Sequence, residues 1–268
     1  MKKLLGLLIA LMMTTQAFAS IAVAPTKVEI NANKLKANYI TTAVEVRGDS
    51  HNPMRFRVYP GYFKITSAGE MNMEVPSDQY DISKKVKFVP SEFNVMPGKT
   101  QKVRINIANL NSLPDGESRA VLFLEDVNAK EYSLDTGRPG IGAQLIVKTR
   151  VGVPIYVDKG KVSKIGEIED LKIINGKNGK YTEMKIVSKG NSKIRYSGKV
   201  QIIQDKKLVH EYKISDGVVG DNNFFIARDI IPTNKITGKG ECTLRAVITY
   251  QDENGKRKNV TKDIQINI

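Results

Sequence analysis

The chain has 268 residues and a formal net charge of +14 at pH 7, from 42 Lys and Arg against 28 Asp and Glu. Its single cysteine excludes an internal disulfide, so the core alone must hold the fold. The basic residues are dispersed and accompany no nucleic-acid-binding motif, which disfavours nucleic acid as a partner. Dispersed charge is typical of a solvated surface, and the alternative is a face that attracts an acidic partner or a terminal carboxylate.

The first 19 residues have the pattern of a secretory signal. Lys2 and Lys3 form a basic start, and the apolar run from Leu4 to Met13 is too short to span a bilayer. Ala17-Phe18-Ala19 matches an A-x-A cleavage site, so we expect cleavage after Ala19 and no integral membrane segment thereafter. An uncleaved anchor is the alternative.

Alternating apolar and polar residues then recur along the chain, which predicts half-buried antiparallel strands. Examples are Val44 to Val46, Met54 to Val58, Leu244 to Tyr250 and Ile264 to Ile268. Turn dipeptides separate these runs: Pro60-Gly61, Pro97-Gly98, Asn175-Gly176, Asn178-Gly179 and Asn254-Gly255. Without a convincing amphipathic helix, the pattern predicts an all-β protein built of sandwiches.

The segment from Val95 to Glu125 contains the clearest strand pair. A Pro-Gly turn leads into an alternating strand that carries Arg104, and a loop ending in Asp115-Gly116-Glu117 leads into a second apolar strand from Ala120 to Leu124. These two strands are predicted to be neighbours in a sandwich.

A domain boundary is predicted between Val157 and Ser163, where Asp158-Lys-Gly-Lys161 reads as a linker. Pro154 indicates that the preceding strand lies at a sheet edge or ends there. We therefore expect one domain over 20–158 and a second over 159–268, the latter assigned to a β-sandwich from its strand pattern alone.

The sequence contains no convincing catalytic or metal-binding motif. His51 and His210 fall in different predicted domains, and neither has a second His or a Cys at metal-ligand spacing. Gly137-Arg-Pro-Gly-Ile-Gly142 lacks the Lys-Ser/Thr ending of a phosphate loop and is predicted to be a flexible loop before a strand. Cys242 begins a predicted strand and is expected to be buried. We expect no enzyme activity, no metal and no cofactor.

Residues from about Ile21 to Val157 resemble the first domain of the periplasmic pilus-assembly chaperone family, whose type member is PapD. The pieces that carry the resemblance occur in the family's order: Ala24-Pro-Thr-Lys-Val28, Met54-Arg-Phe-Arg-Val58, Phe88-Val-Pro90, Phe93-Asn-Val-Met-Pro-Gly98, Val103-Arg104, Gly116-Glu-Ser118 and Gly142 to Val157. The last piece resembles the family's long final strand. The resemblance implies two immunoglobulin-like β-sandwich domains set at an angle.

The resemblance also implies that the protein lends an edge strand to an incomplete pilus subunit. The donor would be the strand after the glycine-rich loop, with Ile141, Ala143, Leu145 and Val147 on one face and Gln144, Ile146 and Lys148 on the other. The alternative is an ordinary sandwich strand with its apolar face inward.

The family anchors the subunit's terminal carboxylate with two basic residues. Lys27, directly after Thr26, takes the place of the first, whereas Gly152 stands where the second is expected. Arg150 is two residues earlier on the same face and is predicted to substitute for it. The alternative is that Lys27 and Arg150 are solvated surface residues.

Two further charged residues match ones that the family uses structurally: Arg104, and Glu117 near the domain interface. The arginine that usually follows the last strand is missing.

The predicted function is therefore a periplasmic chaperone for secreted pilus-type subunits, working with an outer-membrane usher if one exists. The alternative is a structural or adhesive cell-surface protein.

Overall fold

The computed structural model describes residues 21–49, 51–128, 130–138, 141–231 and 240–267, so the predicted signal lies outside the described residues. Within these ranges no helix is long and apolar enough to cross a membrane. The described residues form 20 strands and three single-turn 3₁₀ helices. The strands are β1 (Ala22–Ala24), β2 (Val28–Asn31), β3 (Tyr39–Arg47), β4 (Met54–Gly61), β5 (Lys64–Ile65), β6 (Met71–Asn72), β7 (Val86–Val89), β8 (Glu92–Val95), β9 (Thr100–Ala108), β10 (Gly116–Asp126), β11 (Lys130–Arg138), β12 (Ile141–Val147), β13 (Arg150–Lys159), β14 (Gly166–Gly176), β15 (Gly179–Ser188), β16 (Ile194–Gln204), β17 (Lys207–Val219), β18 (Phe224–Ile230), β19 (Glu241–Gln251) and β20 (Arg257–Asn267).

The first sandwich consists of two sheets that pack face to face. Sheet A has the strand order β1-β3-β9-β7, and sheet B has the order β2-β13-β10-β4-β8. The strand pairings of both sheets are antiparallel, except that β2 runs parallel to β13. The predicted neighbours around Arg104 and Ala120 thus face each other across the core, one in each sheet.

Alternation along the strands builds the first core. Val44 and Val46 of sheet A are fully buried, as are Val103 and Ile105 on the neighbouring strand. Residues of sheet B, such as Phe56, complete the cluster. Burying a side chain of this size contributes roughly 1.5–3 kcal/mol, so the inward row of each strand fixes its register.

The second sandwich has the same construction. Sheet C has the order β14-β15-β18, and sheet D has the order β17-β16-β19-β20. Their inward residues form a separate core, in which Cys242 is 2% exposed. The predicted all-β fold with two β-sandwiches is confirmed.

One long excursion, residues 62–82, leaves β4 and covers the outer face of sheet B. Phe63 and Ile65 bury themselves there against Val121 and Phe123 of β10. The excursion returns to the sheet at Asp81, which forms a parallel bridge with Arg119. The excursion also contacts the second sandwich, because the Asn223 side chain donates a hydrogen bond to the Ile65 carbonyl at 2.8 Å.

The predicted long final strand of the first domain is instead two strands, β12 and β13, separated by Lys148 and Thr149. Part of the predicted glycine-rich loop is also a strand, because β11 extends to Arg138 and pairs with β12. The β10–β13 register and the β11–β12 register differ by two residues, which places a bulge around Val127 and Asn128. The β10–β13 ladder is therefore followed along the chain by the β11–β12 hairpin.

Candidate functional site

One edge of sheet B, and the edge of the separate β11–β12 pair that precedes it in the chain, lack a neighbouring strand among the described residues. β10 pairs with β13 from Arg150 to Lys159, but β2 covers only Ile155 to Asp158 on the other side. β12 pairs only with β11 in the described part of the chain. The stretch from Ile141 to Pro154, which we call the open edge, therefore presents backbone groups without a strand partner. Pro154 lies within it, as its missing N–H predicts.

The open edge carries exposed apolar side chains. Ile146 is 56% exposed and Val147 is 37% exposed. Natural sheet edges are usually protected by charges, bulges or covering segments, because an apolar edge pairs readily with another chain. An exposed apolar pair on an open edge is therefore suited to binding another strand.

Val147 belongs to a row of alternate residues that enters the first core. Val153, Ile155 and Val157 of this row are buried there. If the pleat continues through Thr149, the predicted donor residues Ile141, Ala143 and Leu145 lie in the same row. Their backbones form β12, opposite Arg138, Leu134 and Tyr132, and their side chains lie outside the described residues.

The space next to Gly152 is already occupied. A Cβ atom at this position would lie 3.0 Å from a Val121 methyl group and 3.5 Å from the Phe123 ring. Arg150 covers the same ring, with its guanidinium carbon 4.5 Å from the ring centroid, and donates to the Tyr59 hydroxyl at 3.2 Å. The Tyr59 hydroxyl in turn donates to Glu125 at 2.7 Å. Glycine at 152 therefore avoids a tight contact with Val121 beside the Phe123 ring.

The two predicted anchor residues are not in contact. Lys27 directly precedes β2, whose Val28 pairs with Ile155, whereas Arg150 lies at the far end of β13. Four residues of strand separate the two positions, or about 13 Å. Lys27 pairs with Glu29 at 3.4 Å, and Arg150 has the partners given above. A joint role for Lys27 and Arg150 in binding a carboxylate stays a prediction.

A chain of alternating charges crosses the contact between the sandwiches. Glu117 is fully buried and accepts from Lys193 Nζ at 2.7 Å and from Ser192 at 3.2 Å. Arg119 lies 3.6 Å from Glu117 and hydrogen-bonds Asp221. Lys193 also approaches Glu29, which accepts from Arg195 at 3.0 Å. The charge ladder, as we call it, alternates in sign and is electrically balanced: Arg195, Glu29, Lys193, Glu117, Arg119 and Asp221.

Two residues in or beside the ladder have shifted pKa values. Burial alone would raise the pKa of Glu29, but the charges of Lys193 and Arg195 prevail and lower this pKa from 4.5 to about 2. Burial raises the pKa of Tyr156 to about 12, and the Lys193 ammonium lies 3.5 Å from the centroid of its ring. Glu29 is thus held as a carboxylate between two cations of the second sandwich.

The ladder gives Glu117 basic partners that the sequence alone does not indicate. Glu117 was predicted near the domain interface without its usual arginine partner, and the structure gives it Lys193 and Arg119. Sequence reasoning missed Lys193, Arg195 and Asp221. The signal available was weak, because Lys193 and Arg195 are simply alternate basic residues of an ordinary strand start.

The ladder borders a cleft of about 1160 Å³ between the sandwiches. Tyr156 and Glu29 line it from the first sandwich, and Tyr196, Tyr250 and Phe225 line it from the second. Its wall thus combines aromatic rings with paired charges. The part of the chain that the structure describes contains no group of three His, Cys, Asp or Glu side chains placed to hold a metal ion.

Arg104 lies far from this cleft in the architecture, on the outer face of sheet A. It is exposed and stands between Ala43 and Val89 on the neighbouring strands.

No protein-family model matches the chain, and no curated protein is similar to it in sequence. Among solved structures, the chain is similar to the CupB2 chaperone of Pseudomonas aeruginosa (14% identity, TM-score 0.44, covering 92% of this chain and 100% of that one). It is also similar to the YadV chaperone (11%, TM-score 0.46, 92% and 100%). A third is the SafB chaperone of Salmonella enterica, solved in complex with the SafA pilin (10%, TM-score 0.42, 93% and 96%). We infer function from the strands and side chains described above, and not from these similarities.

Proposed function

We propose that this protein is a periplasmic chaperone that binds exported β-strand subunits by lending them the open edge formed by β12 and the start of β13. The observation that carries the proposal is the open edge itself, Ile141 to Pro154, with exposed Ile146 and Val147. A subunit strand would pair with the edge backbone, and the row that ends in Val147 would enter the subunit's apolar groove.

This mechanism requires only burial and hydrogen bonding. An incomplete sandwich exposes apolar surface and unpaired backbone groups, which are aggregation-prone. Each backbone bond that the edge supplies contributes roughly 1 kcal/mol net, and each apolar side chain that enters the groove contributes about 1.5–3 kcal/mol. Exchange of this strand for a better-fitting one would release the subunit for assembly without a nucleotide.

The anchor prediction is kept as part of the proposal. Lys27 is partly exposed and would bind a subunit's terminal carboxylate, because Glu29 is also satisfied by Lys193 and Arg195. Arg150 would act separately, at the open edge. Pilus-type subunits are the partners that the family resemblance implies, and an outer-membrane usher would receive them.

The test introduces negative charges on one face of β12. The chain is co-expressed with the small exported β-rich proteins encoded beside its gene, and the complex is recovered from the periplasmic fraction. The double variant Leu145→Asp, Val147→Asp is expected to lose at least nine-tenths of the complex, because buried unpaired charges oppose groove binding.

The matched control is the double variant Leu208→Asp, Ile230→Asp, which introduces the same charge at two exposed apolar positions of the second sandwich, away from the open edge. It is expected to keep most of the complex. Equal recovery with the Leu145→Asp, Val147→Asp variant and the wild-type chain would refute strand donation. Finding the chain on the cell surface instead of in the periplasm would favour the structural or adhesive alternative.

A further inference from the structure

The outer face of sheet A carries a band of cations with almost no compensating charge. β3, β9 and β7 direct Arg47, Lys102, Arg104 and Lys87 to this face, and all four are exposed. The only carboxylate that the four strands of sheet A place there is Glu45, which pairs with Lys102 at 3.3 Å. We call these four basic residues the cationic band.

Many outward cations on the other sheets have carboxylate partners, although some exposed ones, such as Lys207 and Arg257, have none among the described residues. In sheet D, Arg245 makes two hydrogen bonds to Asp263 on the next strand. In sheet C, Lys172 and Arg228 share Glu183, and in sheet B, Arg55 and Arg57 share Glu92. Cross-strand pairs of opposite charge are the usual device for such a surface. Among the described residues, Arg47, Lys87 and Arg104 have no ion-pair partner.

The band has a fixed geometry because its members stand on paired strands. Arg104 is opposite Ala43 and Val89, and Arg47 is opposite Thr100 and Ala22. Small neighbours leave the guanidinium groups accessible on a flat surface. Neighbouring members lie roughly 5–8 Å apart, and the band runs about 20 Å across the sheet.

We propose that the cationic band binds an acidic polypeptide segment of another protein. Guanidinium groups bind carboxylates through two parallel hydrogen bonds, which suits spaced Asp and Glu side chains. Glu45 in the centre of the band would repel a uniformly anionic lipid surface but tolerates a segment whose carboxylates are spaced. Val89, 59% exposed beside Arg104, offers the segment an apolar contact. This site lies on the opposite sheet from the open edge and does not depend on strand donation.

The test measures binding of a fluorescent synthetic peptide of repeating Asp-Gly-Glu-Ser units at physiological ionic strength. The double variant Arg47→Glu, Arg104→Glu is compared with Lys177→Glu, Lys207→Glu, two exposed lysines of the second sandwich. Both pairs change the net charge equally. The band variant is expected to bind the peptide roughly tenfold or more weakly, while the control variant stays within about twofold of the wild-type chain.

Several outcomes would overturn the proposal. Equal weakening in both variants would mean that net charge alone attracts the peptide, and the absence of wild-type binding would exclude an acidic polypeptide. Stronger binding to phosphatidylglycerol vesicles, lost in the band variant, would assign the band to a membrane. Because the substituted side chains are exposed, both variants are expected to keep the Tm of the wild-type chain, which checks that they fold. The Leu145→Asp, Val147→Asp variant should bind the peptide as the wild-type chain does, whether or not strand donation is correct.

Discussion

Phe123 lies across the outer face of sheet B between two glycines, Gly61 on β4 and Gly152 on β13. A Cβ atom at Gly61 would come within 2.6 Å of the ring, whereas one at Gly152 would lie 3.5 Å from it. Arg150 and Tyr59 close over the ring from the solvent side. At the scale of single residues, the Phe123 ring restricts position 61, whereas at position 152, where a basic anchor is expected, the tight contact is with a Val121 methyl group at 3.0 Å.

This packing predicts which of the two glycine substitutions destabilises the fold more. Gly61→Ala is expected to lower the free energy of unfolding by about 1–3 kcal/mol, because the buried ring must move, and Gly152→Ala is expected to cost less. Urea denaturation measures both. In a Phe123→Leu background the cost of Gly61→Ala should shrink, and an unchanged cost would show that the ring is not the obstacle.

Among the elements, the excursion over 62–82 joins the two sandwiches. It covers sheet B with Phe63 and Ile65, and Val218 of the second sandwich packs against the same cluster. Gly69 at its tip lies against Phe225, where a Cβ atom would be 3.0 Å from the ring. The excursion therefore forms part of both the first sandwich's cover and the contact between the sandwiches.

Ile65→Asp tests this coupling, because the new carboxylate would be buried where Gly220 and Val218 pack. Amide hydrogen exchange is expected to accelerate both in the excursion and around Val218 to Phe225, with sheet A unchanged. The control is Met73→Asp, at a 40% exposed position of the same excursion. Acceleration confined to the excursion would mean that it does not couple the sandwiches.

On the scale of the whole molecule, the charge ladder connects the sandwiches through buried ion pairs. Glu117 and Arg119 are 0% and 3% exposed, so their charges depend on one another and on Lys193 and Asp221 rather than on water. Such a ladder is sensitive to the loss of any one charge, because the remaining partner stays buried without compensation.

The ladder predicts a specific pH dependence. The pKa of Glu29 is about 2 in the folded chain against 4.5 ordinarily, so the carboxylate stabilises the fold above pH 4.5. That contribution is lost as the pH falls from about 4.5 through 2. The variant Glu29→Gln should therefore be less stable than the wild-type chain at neutral pH, and the difference in unfolding free energy should narrow across this window.

A difference that stays constant from pH 6 to pH 2 would contradict the assignment. Comparing the two chains at each pH removes the contributions of other carboxyl groups, such as Asp78, whose pKa is also lowered, against its partial burial, by Lys64 and Tyr62.

The sequence by itself determined most of the strands, the two cores and the all-β class, because alternation of apolar residues is a local property that burial converts into register. It did not determine the division of the predicted final strand into β12 and β13 or the extension of β11 to Arg138. Val44, Val46, Val103 and Ile105 are inward as their pattern predicts. Only the tertiary structure decided which edge stays open, why residue 152 is glycine, and which cations are paired. Lys193 lies 76 positions from Glu117, and the pairing state of Arg104 depends on Ala43 and Val89 beside it. Whether a charged residue forms an ion pair, and whether a strand edge is covered, depends on residues that are distant in the chain. No local sequence pattern specifies those residues.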